Sequence, residues 1–306
     1  MKNSIITTGF ATIVLTVTLS SSIVCAQYTD FISIDHIYAR GEPILLEDGM
    51  KAVNKDLRGV HIHRIIKNAD FSDSDLSRAD LREAGFENCS FNGANLSSIM
   101  AYDAYFTDCD FTGAVINGAR DIRITKEQLL STDSFQKKNL SGISLNVNDL
   151  SNVDFSGFDM KHSSFGRNLA GCRFDDTQVE GAHLPGFNLF SIEQFQSTWD
   201  FKHKTLIGVS LELDLAGLDL SRFNLTKCTF ESRTNFKDVD FTDAVITQCH
   251  FNGGNNLTLE QIKSTWNYKT GNMAQGKWTG SNHVRGIKLP KEIQDALDAE
   301  KEANSE

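Results

Sequence analysis

The chain is poor in proline. Its 306 residues include 3 Pro, against 21 Phe and 22 Gly. Flexible or extended linkers between domains are often rich in proline, and this composition supplies little material for them. The sequence therefore predicts a repetitive, heavily packed interior rather than several domains joined by linkers.

Motifs that carry chemistry are also missing. The sequence contains no nucleophile elbow, no phosphate-binding glycine loop and no zinc signature. Gly253-Gly254, at the end of a repeat block, is typical of a turn. The sequence accordingly predicts a protein that is not an enzyme, and it identifies no catalytic residue, no cofactor and no metal site.

Positive charge is in short supply. Lys and Arg total 30 against 40 Asp and Glu, which gives a net charge of -10 at pH 7. A protein of this charge repels nucleic acids and anionic membrane surfaces. Beyond residue 26 no stretch is apolar enough to span a bilayer. We therefore expect neither a nucleic-acid partner nor a transmembrane segment in the mature chain.

The first 26 residues have the pattern of a secretory signal peptide. Lys2 supplies the positive start, an apolar stretch includes residues 13–17, and Val24-Cys25-Ala26 gives a small-residue cleavage pattern ending at Ala26. Two alternatives are a membrane anchor and a lipoprotein that begins at Cys25. The apolar run is short for an anchor, and Val24 is large for a lipoprotein site. The sequence thus predicts export, to the periplasm or out of the cell, after cleavage near Ala26.

A five-residue period runs through the sequence from Ile66. Strands repeat every two residues and helices about every 3.6, so this period needs a backbone that turns the same way every five residues. Every fifth residue is large and apolar except Ala101, and a mostly small residue lies two positions earlier. Backbone groups must then pair with the coils above and below, which predicts a solenoid. The series is Ile66, Phe71, Leu76, Leu81, Phe86, Phe91, Leu96, Ala101, Phe106, Phe111 and Ile116.

The repeat resembles that of the pentapeptide-repeat family, whose motif is Ala-Asp/Asn-Leu-x-x. Ala69-Asp70-Phe71, Ala79-Asp80-Leu81 and Ala94-Asn95-Leu96 follow it. The resemblance implies an all-β solenoid, a right-handed quadrilateral β-helix with about twenty residues per coil. To this fold we add short α-helical inserts and a C-terminal helical cap.

The repeats fall into blocks, because the phrase that begins Leu57-Arg58-Gly59 recurs at residues 140–145, 206–211 and 284–289. Residues 27–56 are too mixed in pattern for a firm assignment. The predicted division is a signal peptide at 1–26, an N-terminal lead or cap at 27–56, repeat blocks at 57–119, 140–188 and 206–255, helical inserts at 120–139, 189–205 and 256–283, and a last strand with a C-terminal cap helix at 284–306.

The segments between blocks share a helical pattern. Each has Ser or Thr followed three residues later by Gln, which is typical of a capping box. Trp199 and Trp266 occupy equivalent places in two of these segments, and we expect them to pack a helix against a coil rather than stack on a ligand. The capping pairs are Thr125 with Gln128, Ser191 with Gln194, and Thr258 with Gln261.

Five cysteines follow the signal: Cys89, Cys109, Cys172, Cys228 and Cys249. All occupy the small inward position of the repeat, where cysteine acts as a compact hydrophobe. Cys89 and Cys109 should stack in neighbouring coils, as should Cys228 and Cys249. Export permits disulfides between these pairs, but parallel side chains hold the Cβ atoms slightly too far apart. Buried free thiols are the favoured interpretation.

His61 and His63 form a His-x-His pair whose side chains share one face of a strand. No third ligand is visible in the sequence, so a solvated strand edge is favoured over a metal site.

Three functions remain open. A rigid exported coil favours a binding or scaffold module whose partner is a protein or a component of the cell envelope. The family resemblance also implies an acidic mimic of duplex DNA that binds a topoisomerase. That role needs columns of carboxylates twenty residues apart, and in block 1 only Glu83 and Asp103 have this spacing. An enzyme with its site on the helical inserts is the third possibility.

Overall fold

The computed structural model describes residues 36–39, 42–165, 168–184, 190–252, 255–273 and 287–303. These residues fall within the unit Asp35–Glu306, and the unit Met1–Ile34 lies outside the described residues. The signal peptide at residues 1–26, with its cleavage near Ala26, therefore stays a prediction. Within the described ranges, no helix combines the length and the apolar character that a membrane crossing needs.

The backbone turns once in each repeat. The N–H of Ser74 donates to the carbonyl of Phe71 at 3.2 Å, and Asp73 between them has a φ of 56°. A positive φ at the third residue is the mark of a type II turn. This confirms the turn every five residues that the periodicity predicts. In the first block the positive φ recurs at Asn68, Asp73, Arg78, Glu83, Asn88, Gly93, Ser98, Asp103, Asp108, Gly113 and Gly118.

The Asp or Asn of the motif supports this turn. The Oδ1 atom of Asp110 accepts a hydrogen bond from the backbone N–H of Thr112 at 2.9 Å, and Asn95 holds the N–H of Ser97 at 3.1 Å. Hydrogen bonds from Thr112, through its side chain and its backbone, lower the pKa of Asp110. Both residue types offer the same oxygen acceptor, which explains why the motif admits either.

Successive coils pair in parallel on four sides. Strands β3 (Ile65–Lys67), β4 (Gly85–Glu87) and β5 (Tyr105–Thr107) form one side, with Ile66, Phe86 and Phe106 in register. Strands β6 (Ser210–Leu211), β7 (Thr229–Phe230) and β8 (His250–Phe251) form a second parallel sheet. The other three sides of the first coils pair through the single bridges Asp70 with Ser90, Asp75 with Asn95, and Asp80 with Met100. The fold is therefore a four-sided coil.

Phenylalanine rings fill the interior of the first block in columns. Phe71, Phe91 and Phe111 stack with ring centroids 5.3 Å apart, and all three are buried. Phe86 and Phe106 form a second column, also at 5.3 Å, whose edges meet the faces of the first. The predicted placement of every fifth apolar residue in continuous interior columns is confirmed.

The coil begins earlier than residue 57. Strands β1 (His36–Ala39) and β2 (Glu42–Leu45) form an antiparallel hairpin. Beyond it, Lys51 and Asp56 already pair with Asp70 and Asp75 of the next coil. The reason is a phase slip, because the buried Ile62 lies four positions before Ile66 instead of five. Counting backwards from Ile66 in steps of five residues therefore misses the turns that precede it.

Seven helices are present in the described part of the chain. The capping boxes at Thr125, Ser191 and Thr258 all form, with both hydrogen bonds in place. The last helix packs on the fifth, where Leu297 is buried and Lys263 pairs with Glu300. The helices are α1 (Lys126–Ser131), α2 (Asp133–Gln136), α3 (Ile192–Ser197), α4 (Trp199–Lys202), α5 (Leu259–Ser264), α6 (Trp266–Lys269) and α7 (Lys291–Ala303).

The second helix of each short pair takes the place of one side of a coil. The first backbone N–H of α2, α4 and α6 donates to a carbonyl of the coil beneath, at Ala114, Thr177 and Ala244. One buried side chain in each helix then supplies the oxygen that a next coil would offer. The backbone N–H of Ile116 donates to Ser134 Oγ at 2.8 Å, that of Val179 to Asp200 Oδ2 at 2.6 Å, and that of Ile246 to Asn267 Oδ1 at 2.7 Å.

The two tryptophans are more exposed than the expected packing of helix against coil implies. Trp199 is 37% exposed and Trp266 is 40% exposed. The Trp199 ring stacks on His203 at 4.0 Å, at the surface. The aromatic rings that pack against the core are instead Phe201 and Tyr268, two positions further on.

Asp200 is a buried carboxyl in α4, and the equivalent position in α6 carries the amide of Asn267. Burial raises the pKa of Asp200 above its ordinary value. The stability that its protonated form contributes is therefore lost as the pH rises from the ordinary carboxyl range through the raised pKa. We expect Asp200→Asn to raise the free energy of unfolding at pH 7 by on the order of 1 kcal/mol, measured by urea denaturation.

The equivalent residue supplies the matched control. Asn267 accepts from Ile246 N and also donates to Thr247 Oγ1 at 3.0 Å and to the Asn272 carbonyl at 3.2 Å. Asn267→Asp removes both donors and buries a charge, so it should destabilise the protein. The gain from Asp200→Asn should shrink in acid, and a gain that persists unchanged at low pH would contradict the role assigned to the charge.

Candidate functional site

A cluster of ionisable side chains lies on the first coils. His61 forms a parallel bridge with Asp80 of the next coil, and His63 follows on the same face. His61 Nδ1 lies 3.5 Å from Asp80 Oδ2, and His63 Nε2 lies 3.2 Å from Asp80 Oδ1. Asp80 is only 2% exposed, whereas both histidines are open to solvent. The structure therefore supplies the third side chain that the His-x-His pair lacks in the sequence.

Arg82 neutralises the buried carboxylate. Its Nε donates to Asp80 Oδ1 at 2.8 Å and its Nη2 to Asp80 Oδ2 at 2.6 Å, a bidentate pair. The Arg82 hydrogen bonds, aided by His63, hold the pKa of Asp80 well below its ordinary range against the opposing effect of burial. Asp80 is thus a fixed anion between an arginine and two exposed histidines.

An exposed apolar surface adjoins this cluster. We call Ile65, Tyr102 and Tyr105 the tyrosine face; they are 51%, 46% and 37% exposed. Ile65, Gly85 and Tyr105 are paired across strands β3 to β5. A Cβ on Gly85 would lie 2.3 Å from the Tyr105 ring, so this ring lies flat over the strand because the middle residue is glycine. His63 lies two residues before Ile65, and Arg82 lies level with Tyr102 across the coils.

Elsewhere on the coil, carboxylates and cations pair between neighbouring coils. Arg123 Nη2 lies 2.9 Å from Asp103 Oδ1, so the one carboxylate pair of block 1 with the twenty-residue spacing, Glu83 and Asp103, is followed by an arginine. This pattern breaks up the negative surface into mixed charge. Other such pairs are Lys67 with Glu87, Arg173 with Asp154, and Arg233 with Glu212, while Lys202 with Asp176 and Lys269 with Asp243 join α4 and α6 to the coil.

The five cysteines are buried free thiols in the structure. Each donates to a carbonyl of a neighbouring coil; Cys89 Sγ, for example, lies 3.4 Å from the Ile66 oxygen. Burial raises the pKa of Cys228 to about 12 and that of Cys249 well above its ordinary value. The stacked disulfides Cys89–Cys109 and Cys228–Cys249 stay an alternative prediction, which counting thiols in denatured, unreduced protein distinguishes.

Each pair of short helices borders a groove on the coil. The grooves beside α1, α3 and α5 measure 790, 670 and 490 Å³. Cys172 lines the second, but it donates to the Leu150 carbonyl at 2.9 Å, and burial raises its pKa. The capping glutamines that line these grooves are occupied by backbone partners. These three glutamines therefore hold the helices to the coil.

A four-sided coil of five-residue repeats, packed on apolar columns, defines the class of protein. The model of pentapeptide repeats matches residues 66–97 and 89–120, with 8 copies of the repeat. Residues 66–120 of the chain therefore consist of the repeats that define the pentapeptide-repeat family.

Two solved structures are similar to it. QnrB1, a plasmid-mediated fluoroquinolone resistance protein, is 18% identical over 84% of this chain and 97% of its own, with a TM-score of 0.26. HetL, a pentapeptide repeat protein involved in heterocyst differentiation regulation from the cyanobacterium Nostoc sp. strain PCC 7120, is 20% identical over 66% of this chain and 90% of its own, with a TM-score of 0.26. No curated protein matches the chain.

Proposed function

We propose that this protein is an exported, non-enzymatic binding or scaffold module, with a protein or cell-envelope component as its partner. The proposal includes a right-handed quadrilateral coil, helical inserts between repeat blocks, a terminal helix that caps the last coil, and removal of residues 1–26. The tyrosine face is the observation that carries it.

The composition of this face is that of a protein-binding surface. Tyr and Arg are enriched where binding energy concentrates, because both combine a large contact area with hydrogen-bonding groups. Ile65 and Tyr105 are exposed on one outward row of strands β3 to β5, and Tyr102 is exposed three residues before Tyr105, level with Arg82. Scattered apolar residues on a surface need no explanation, but a contiguous group marks an interaction site.

The third block argues that the face is specific. On the equivalent side of its coils, the outward positions carry Asp214, Asn235 and Asn255. A coil needs only polar residues there to remain soluble. The apolar and aromatic residues of the first block therefore serve something other than the fold.

The surface charges favour this function over mimicry of DNA. A mimic must present uninterrupted anionic columns, as the phosphates of a duplex do. Here the Glu83–Asp103 column meets Arg123, and Arg58 lies between the stacked carboxylates of Asp56 and Asp75, with contacts of 2.7 and 3.8 Å. Carboxylates that are paired with arginines in this way form a surface of mixed charge, which favours a protein partner over mimicry of DNA.

Photo-crosslinking from the tyrosine face tests the proposal. A photoreactive amino acid in place of Ile65 should capture one main partner when cells are irradiated and the extracytoplasmic fraction is recovered. Tyr105→Ser should reduce that capture about tenfold, since a centrally buried tyrosine often contributes 1–2 kcal/mol or more to an interface.

The matched control places the same photoreactive amino acid at Asn255, an exposed outward position on the equivalent side of the third block. Equal capture from both positions would mean nonspecific association and would contradict the proposal. A protein found only in the cytosol that inhibits a topoisomerase would establish mimicry instead. Turnover of a substrate by the purified protein would establish an enzyme.

A further inference from the structure

We propose that His61, His63 and Asp80 form a binding site for a divalent transition-metal ion, with Zn²⁺ as the ion that its donors fit. The site does not depend on the proposed partner or on export. It joins two coils, with the two imidazoles on one coil and the carboxylate on the next.

The spacing of the donor atoms already approaches that of a zinc site. One ligand atom from each of the three residues lies within 4.8 Å of the others. Zinc bonds of about 2.0–2.2 Å place tetrahedral ligands about 3.3 Å apart. His61 Nδ1 lies 3.5 Å from Asp80 Oδ2, and His63 Nε2 lies 3.2 Å from Asp80 Oδ1, so each imidazole contacts one oxygen of the same carboxylate. Rotation of the two exposed imidazoles would bring both nitrogens toward one of these oxygens.

Hydrogen bonds between coils fix the backbone of Asp80 beside the two histidines. The Asp80 N–H donates to the Val60 carbonyl at 2.8 Å, and the Asp80 carbonyl accepts from Ile62 N at 2.9 Å. These two bonds fix the backbone of the carboxylate ligand beside the strand that carries both histidines.

The chemistry of the donors selects the kind of ion. Two imidazole nitrogens and one carboxylate oxygen are ligands that zinc and neighbouring transition metals accept, whereas Mg²⁺ and Ca²⁺ prefer sets of oxygen ligands. Three protein ligands leave one tetrahedral position open. The exposure of both histidines gives water, or a side chain of a bound partner, access to that position.

Arg82 competes with the metal for the same oxygens. Its guanidinium occupies both carboxylate oxygens, yet about half of its side chain is exposed and can swing into solvent. Metal binding must break this pair and places a divalent cation near a positive charge. The arginine thus weakens the site without being part of it, and its removal should strengthen binding.

Calorimetric titration of the chelator-treated full-length protein with Zn²⁺ tests the site. We expect one saturable zinc site per chain that Mg²⁺ does not occupy. His61→Ala and His63→Ala should each weaken binding at least tenfold, and Arg82→Gln should strengthen it about tenfold. His203→Ala is the matched control, because His203 is an exposed histidine outside the cluster, and it should bind zinc unchanged.

A second measurement separates metal binding from damage to the fold. Zinc should raise the thermal midpoint of the wild-type and Arg82→Gln proteins, because a ligand of the folded state stabilises it. It should not do so for the His61→Ala/His63→Ala double variant. Absence of saturable binding in the micromolar range, zinc binding that survives in the double variant, or weaker binding by Arg82→Gln would overturn the proposal.

Discussion

Phe91→Ala should destabilise the protein by about 3–5 kcal/mol. The Phe91 ring is fully buried and meets four other rings, with centroid distances between 5.2 and 5.8 Å. The cavity cannot collapse easily, because the coils above and below are held at the spacing of paired strands. Urea denaturation at pH 7, followed by circular dichroism, measures the loss.

Two comparisons make the Phe91 result specific. Phe91→Leu keeps most of the volume and should lose less than half as much stability. Tyr102→Ala removes an aromatic ring from the exposed surface and should change stability by at most about 0.5 kcal/mol. Equal losses from Phe91→Ala and Tyr102→Ala would contradict the interior columns.

The coil itself was predictable because a single short-range rule produces it. One turn every five residues puts Phe71 above Phe91 and Phe91 above Phe111, and the sequence shows this period directly. The motif residue Asp or Asn, too, acts within two residues of its own position. Local rules of this kind need no knowledge of distant contacts.

What the sequence does not reveal depends on the register between coils. Asp80 lies nineteen residues after His61, and only the parallel bridge between them shows that they meet. A coil spacing of about twenty residues is the signal that finds it, provided that the slip between Ile62 and Ile66 is counted. A search at a fixed spacing of twenty residues from His61 misses Asp80, because the slip shortens this distance to nineteen residues.

The helical segments show a similar limit. Their capping boxes are visible in the sequence, because a helix start is a local event. That α4 also takes the place of a coil side is not visible, since it depends on Asp200 reaching the N–H of Val179 in the coil beneath. The equivalent positions carry Ser134 and Asn267, which share only an oxygen acceptor. Three different residue types at one structural position leave little pattern to detect.

Gln194→Glu separates the local role of the capping glutamine from its long-range one. Within the capping box, Gln194 Oε1 accepts from Ser191 N at 2.7 Å, and glutamate serves that role as well as glutamine. The Nε2 atom, however, donates to the carbonyls of Leu169 and Cys172, each at 2.9 Å, in the coil below. Glutamate loses both donors and turns a carboxylate oxygen toward two carbonyl oxygens. We therefore expect a loss of about 2–4 kcal/mol, measured by urea denaturation at pH 7.

The direction of the pH dependence identifies the cause of this loss. A carboxylate facing carbonyl oxygens has a raised pKa in the folded state, so the deficit should shrink as the pH falls through the carboxyl range. Gln136→Glu is the matched control, because Gln136 is exposed and donates a single bond to the Leu130 carbonyl; it should cost at most about 0.5 kcal/mol. Gln128 and Gln261 make the same paired contacts with their own coils, at 2.7 to 3.1 Å. Gln128→Glu and Gln261→Glu should therefore reproduce the effect, and a capping pattern that tolerated glutamate at all three sites would mean that these helices do not depend on the coil beneath them.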